Sequence, residues 1–110
     1  MKMLKKTTVF IVNCRMQMSF VYILLCSDNS YYVGITNDVF KRFEEHQAGY
    51  DYKSYTFNRR PLKLVFYTSF SNIEIAIETE KQIKKWSRNK KVALINGQFE
   101  DLPNLSKKKF

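Results

Sequence analysis

Residues 21–34 read VYILLC (21–26), Ser27, DNS (28–30) and YYVG (31–34), and this stretch decides the fold. Two short runs of β-formers flank the turn formers Asp28, Asn29 and Ser30, which is the pattern of a β-hairpin. Tyrosines stand on both runs: Tyr22 on the first, Tyr31 and Tyr32 on the second. Side chains alternate along a strand, so Tyr31 and Tyr32 point to opposite sides, and Tyr31 is expected to be the packing residue. Gly34 ends the second run, either as an ordinary strand terminator or to let backbone or phosphate approach closely.

Moving toward the C-terminus, the spacing predicts a helix over about 38–48, closed by Gly49 as C-cap. Arg42 and His46 are four residues apart and share one face of it, with Asp38 in the same row. Alone, that row is a solvated helix face. Beside a tyrosine hairpin, the same guanidinium and imidazole join phenols in a site suited to a phosphate.

A loop over 49–61 stops at Pro61, and a strand is expected over 62–69. Ser71 and Glu74 have the form of a capping box opening a helix over about 72–86, and a further helix over about 88–95 closes at Asn96-Gly97. A hairpin with a third strand arriving after a helix implies an α/β fold: a central three-stranded, mostly antiparallel sheet flanked by helices.

Residues 1–19 differ in character from the rest of the chain. Lys2, Lys5 and Lys6 precede a short apolar run over 9–12 that is too short for a signal peptide and lacks its cleavage pattern. We read 1–19 as an N-terminal extension or an upstream start, 20–96 as one domain, and 97–110 as a basic tail carrying Lys107, Lys108 and Lys109. No run approaches a membrane span. Cys14 and Cys26 form neither a disulfide framework nor a metal spacing, which points to a reducing compartment, the cytoplasm.

Charge narrows the partner. Nineteen Lys and Arg against 10 Asp and Glu give a net +9. Residues 53–91 hold ten basic and three acidic side chains, whereas residues 20–52 hold two basic and five acidic ones. A polyanion is the natural partner of the second half. Lys53, Arg59, Arg60 and Lys63 surround the loop and third strand, while Lys84, Lys85 and Arg88 cluster at a helix end. Tyr50, Tyr52, Tyr55 and Phe57 alternate with polar residues in the loop, a composition able to stack on unpaired bases or to pack the loop itself. No recognition helix or zinc module is visible, so binding should be to backbone, salt-dependent and insensitive to sequence.

Glu80 stands out on the second long helix. An apolar stripe of Ile73, Ala76 and Ile77 should continue at 80 and 83; Ile83 complies, but position 80 is a glutamate. A carboxylate facing inward is costly unless it is paired, for instance with Arg42, or binds a metal. Glu78 falls on another face and is the second choice.

In order and spacing these residues resemble the GIY-YIG nucleases, in the small, stand-alone, single-domain subgroup. Phe20-Val21-Tyr22 stands where the family has Gly-Ile-Tyr, and Tyr32-Val33-Gly34 is close to the second motif. Ile35-Thr36-Asn37, Arg42 and His46 come next in place; PLKLVFY (61–67) resembles the third strand and ETEKQIKKWSR (78–88) the helix of the metal-binding glutamate. Position 35 is isoleucine where some members carry lysine.

The resemblance implies a divalent-metal-dependent endonuclease acting on DNA, selective for structure rather than sequence. It implies Tyr22, Tyr32, Arg42, His46 and Glu80 as catalytic residues, with Glu80 holding one Mg²⁺ or Mn²⁺. Gly34 and an asparagine, for which Asn96 and Asn89 are both available, would support the site. RNA stays open as a substrate, as does a protein partner for targeting. The alternative is a nucleic-acid-binding module of the same fold with little or no catalysis of its own, which the altered first motif favours.

Overall fold

A computed structural model describes residues 18–97. The expected N-terminal extension, apart from its last two residues, and nearly all of the basic tail lie outside the described residues, as does Cys14. The elements run β1 (Ser19–Leu25), β2 (Tyr31–Thr36), α1 (Val39–Ala48), β3 (Lys63–Phe70), α2 (Ile73–Lys84) and α3 (Arg88–Ile95). A single 3₁₀ turn at Phe57–Arg59 interrupts the loop before β3. The sheet has order β2-β1-β3 with both pairings antiparallel, as the α/β expectation required.

The hairpin turn is built by its own side chains. Asp28 Oδ1 accepts from the Ser30 amide at 3.1 Å and the Ser30 hydroxyl at 2.6 Å, and Asn29 takes the left-handed conformation at φ 73°. These bonds to Ser30 hold the Asp28 carboxyl below its usual range. The result is a register in which Tyr22 lies opposite Gly34.

The sheet divides the core in two. Val21, Ile23 and Val33 pack with Ala76 and Ile83 of α2 and Leu94 of α3, and Tyr31 joins this side. On the other face Tyr22, Leu24 and Cys26 pack with Leu62, and Tyr32, Phe43 and Leu64 close around them. The predicted split between Tyr31 and Tyr32 therefore holds.

Helix α1 is capped at both ends. The Asp38 carboxylate accepts from the Lys41 amide, and Gly49 at φ 74° donates its N–H to the Glu45 and His46 carbonyls. A side chain at Gly49 would also meet the guanidinium of Arg60, 2.8 Å from its Cζ.

Two details of α2 correct the sequence reading. Its N-cap is Asn72, whose Oδ1 accepts from the Glu74 and Ile75 amides, and not the Ser71–Glu74 capping box. Its buried stripe is Ala76, Thr79 and Ile83, with Ile73 and Ile77 exposed. Thr79 tolerates burial because its hydroxyl donates to the Ile75 carbonyl at 2.7 Å, leaving only a methyl to pack.

Candidate active site

The loop between α1 and β3 is tied down before any site residue is considered. Gln47 acts as a two-sided clamp: its Nε2 donates to the Leu62 carbonyl at 2.9 Å, and its Oε1 accepts from the Leu62 amide at 2.7 Å. Arg60 donates to the Phe57 and Gln47 carbonyls, and Arg59 donates to Asp28 Oδ2 at 3.0 Å across the hairpin turn. The loop is thereby laid over the face of the sheet that carries Tyr22.

Beneath it runs a chain of hydrogen bonds. Tyr22 Oη and His46 Nε2 share one at 3.0 Å; His46 Nδ1 and Thr56 Oγ1 share the next at 2.9 Å; Thr56 Oγ1 and Ser54 Oγ share a third at 2.9 Å. Thr56 is 1% exposed, so its hydroxyl is committed to this chain. Tyr32 meets the His46 ring edge-on, with centroids 5.2 Å apart, and stacks on Tyr55 at 6.0 Å.

Electrostatics bias both members of the central pair toward their neutral forms. Burial, reinforced by Tyr32 and by the Glu80 and Glu45 carboxylates, pushes the Tyr22 phenol up, with Arg42 opposing. Burial lowers His46, and the Arg42 guanidinium lowers it further, against weaker pulls from Glu45 and Asp51. At neutral pH the imidazole is therefore uncharged, with one nitrogen donating and the other accepting.

A cavity of about 490 Å³ opens onto this chain. Tyr22, Tyr32, Gly34, Arg42, His46 and Glu80 line it, and the loop contributes Tyr50, Ser54, Tyr55 and Thr56. Five side chains and one glycine picked from sequence thus share one hollow. Glu80 reaches it from α2, which packs across the edge strand β2. Gly34 does not end its strand, since β2 runs on to Thr36; a Cβ there would lie 2.5 Å from Tyr22 Cζ, so the missing side chain makes room for the phenol.

The charged pairings also differ from expectation. Glu80 is paired with Lys84 at 2.9 Å and not with Arg42, because the i,i+4 spacing on α2 brings the ammonium alongside. Arg42 pairs with Glu45 at 3.3 Å on its own helix. Asn96 caps α3 and is not among the residues lining the cavity, nor is Asn89.

Of the expected basic surface, Lys53, Lys63 and Lys85 are exposed. Arg59, Arg60 and Arg88 have structural duties: Arg59 lies 3.8 Å from the Tyr55 ring centre, Arg60 4.6 Å from that of Phe57, and Arg88 4.5 Å from that of Tyr31. Arg88 also donates to the Asn29 carbonyl at 2.6 Å. Sequence reasoning missed Thr56, Ser54 and Gln47. A hydroxyl between two aromatic residues, Tyr55-Thr56-Phe57, was the one available sign that position 56 faces inward.

The family description GIY-YIG catalytic domain matches residues 18–93. The chain belongs to the GIY-YIG family. A UPF0213 protein of Listeria monocytogenes serovar 1/2a is 46% identical over 82 residues, covering 74% of this chain and 90% of that protein. The UPF0213 protein YazA of Bacillus subtilis is 46% identical over 72 residues, covering 66% and 72%. A solution NMR structure of the UPF0213 protein BH0048 from Bacillus halodurans is 39% identical, covers 72% of this chain and 83% of that one, and superposes with a TM-score of 0.48. GIY-YIG domains are nuclease domains, generally dependent on divalent metal and acting on DNA. Among the described residues no helix is long and apolar enough to cross a membrane.

The donor set fits a metal of one kind. Among the described residues no group of three or more His, Cys, Asp and Glu could hold an ion. Glu80 offers a single carboxylate, 12% exposed, at the wall of a roomy cavity, with the Lys84 cation already beside it. One hard oxygen ligand and space for water suit Mg²⁺ or Mn²⁺, which keep much of their hydration, and do not suit zinc.

Proposed function

We propose that this protein is a divalent-metal-dependent endonuclease that hydrolyses DNA phosphodiester bonds and selects its targets by structure rather than sequence. The observation that carries this reading is the meeting of Tyr22, Tyr32, Arg42, His46 and Glu80 around one cavity. A phenol, an imidazole, a guanidinium and a carboxylate can together serve phosphodiester hydrolysis: proton acceptors for water, a cation for the phosphate, and an anchor for metal.

Each side chain then has a task. Water gives a proton to the Tyr22 oxygen as the phenol proton passes to His46 Nε2, a transfer supported by their 3.0 Å hydrogen bond and by the uncharged imidazole. Tyr32, packed against His46, orients that water. Arg42 exchanges its exposed bond to Glu45 for the phosphate and stabilises the charge that develops on it. Glu80 would hold the ion, which when bound supplies Lewis-acid polarisation of the phosphate. With Asn96 away from the cavity, charge compensation at the phosphate rests on Arg42, the one basic side chain among the described residues that line the cavity besides His46.

A nucleic-acid-binding module is the second reading. It is favoured by the Lys84–Glu80 ion pair, which occupies the carboxylate, and by Phe20 in place of the first motif's glycine. The two readings separate on a panel of labelled single-stranded, duplex, nicked and branched DNA with one RNA, incubated in Mg²⁺, Mn²⁺ or EDTA. The nuclease cleaves at least one DNA only with metal; the module binds without cleaving any.

A further inference from the structure

The aromatic residues of the 49–61 loop separate into two pairs with different fates. Tyr55 is committed to the fold: it stacks on Tyr32, carries the Arg59 guanidinium 3.8 Å from its ring centre, and donates its hydroxyl to Ser30 Oγ at 2.9 Å. Phe57 is half-buried beneath Arg60. Tyr50 and Tyr52 do the reverse. They are 78% and 66% exposed, and Tyr50 stands on the wall of the cavity.

A solitary exposed tyrosine needs no explanation. Here the loop's fold is fixed without either ring, by the Gln47 clamp on Leu62, the Thr56–His46 bond and the contacts of Arg59 and Arg60. Among the described residues the Tyr50 ring has no aromatic or cationic partner, and Tyr52 has only the Lys53 ammonium at 5.9 Å. The intervening Asp51 turns its carboxylate to the Lys53 amide at 3.0 Å. Two exposed rings are therefore held on an anchored loop, Tyr50 on the wall of a hollow large enough for one nucleotide and Tyr52 two residues further along.

We propose that Tyr50 and Tyr52 form a stacking platform for unpaired bases, so that the substrate enters the cavity as a single strand. The inference rests on reading the cavity as a phosphodiester site, and it names the substrate class of that site. A base presents its π-face only when it is unpaired, whereas a duplex offers the loop its phosphates and buries its rings. Lys53 beside the platform and Arg42 within the cavity attract the backbone of the same strand.

The test is fluorescence anisotropy with the full chain in EDTA, so that binding is read apart from cleavage. Probes are a labelled single-stranded DNA, its duplex, and a single-stranded RNA of the same sequence. Tyr50→Ala and Tyr52→Ala are each expected to weaken single-strand binding by about five-fold or more, with duplex binding within two-fold of the parent. Tyr50→Phe and Tyr52→Phe keep the ring and should bind as the parent does. Equal losses on DNA and RNA support stacking on bases alone; a loss confined to one of them supports the platform and names its strand. Unchanged single-strand binding in both alanine variants, or equal losses on single strand and duplex, overturns the proposal. A parent that stacks single strands through these tyrosines but cuts nothing keeps the platform and loses the nuclease reading. One that cuts with metal and ignores both tyrosines does the opposite.

Discussion

The Tyr22 phenol and the His46 imidazole, 24 residues apart in sequence, share a 3.0 Å hydrogen bond at the floor of the cavity. Burial acts oppositely on their titrations, raising the phenol and lowering the imidazole. The folded protein thus binds the His46 proton more weakly than the unfolded chain, whose value lies near 6.5. The stability associated with neutral His46 is full above that value and is lost as pH falls through the lower folded value. Thermal melts of parent and His46→Gln between about pH 5 and 8 should show the parent losing more stability on acidification. Parallel curves would contradict the burial assigned to His46. If His46 accepts the phenol proton, the acid limb of the cleavage rate should also lie below 6.5 and shift in a His46 variant.

Thr56 holds the far side of the same ring, at 2.9 Å from Nδ1. Thr56→Val keeps the shape of the side chain and removes the hydroxyl, leaving Nδ1 without its partner. We expect about ten-fold slower cleavage and a loss of roughly 1–3 kcal/mol in stability, the usual cost of a buried polar group left unpaired. Thr56→Ser should recover most of both. Urea melts and cleavage rates on the two variants check this, and equal behaviour of valine and serine would contradict it.

The hairpin was legible because local rules and the fold agree there: β-formers on both sides of Asp28-Asn29-Ser30 leave few alternatives. Glu80 was legible as a misfit on an apolar face, although the face is Ala76, Thr79 and Ile83 and not the stripe through Ile73 and Ile77. Periodicity weighs Thr79 as polar, but the bond to the Ile75 carbonyl satisfies its hydroxyl and lets it pack. The partners in the Thr56–His46 and Gln47–Leu62 contacts were not legible, since they join residues 10 and 15 positions apart through a loop without periodicity. The split of the loop tyrosines was hidden for the same reason. Tyr55 stays partly exposed and is tied down because Tyr32 on β2 stacks on its ring and Arg59, four residues on, lies 3.8 Å from its centre.

Gly34 gives a sharper prediction because its role is steric. A Cβ there would lie 2.5 Å from Tyr22 Cζ, so Gly34→Ala must turn the phenol away from His46 or push β1 and β2 apart. Destabilisation of about 1–3 kcal/mol is expected, the usual range for overpacking. Cleavage should fall further than stability accounts for, because the proton path is broken. Melting and single-turnover rates compared in one variant decide the matter; full activity would show that the phenol tolerates displacement.

Lys84 occupies Glu80 at 2.9 Å, and this bond raises the ammonium's own pKa. Any ion that binds the carboxylate competes with it. Lys84→Ala should therefore tighten Mn²⁺ binding, by no more than about five-fold for an ion pair half open to water. Manganese titration followed by electron paramagnetic resonance reads this without reference to activity. Weaker or unchanged binding would mean that Glu80 is not the metal ligand.

The central claim is that the cavity around Glu80 cuts DNA with the help of a metal. It is tested most directly by timing cleavage of labelled DNA by the parent and Glu80→Ala proteins at saturating Mg²⁺. The account predicts cleavage by the parent that EDTA abolishes, and a loss of at least about a hundred-fold in the variant. Cleavage by Glu80→Ala at the parent rate would contradict it.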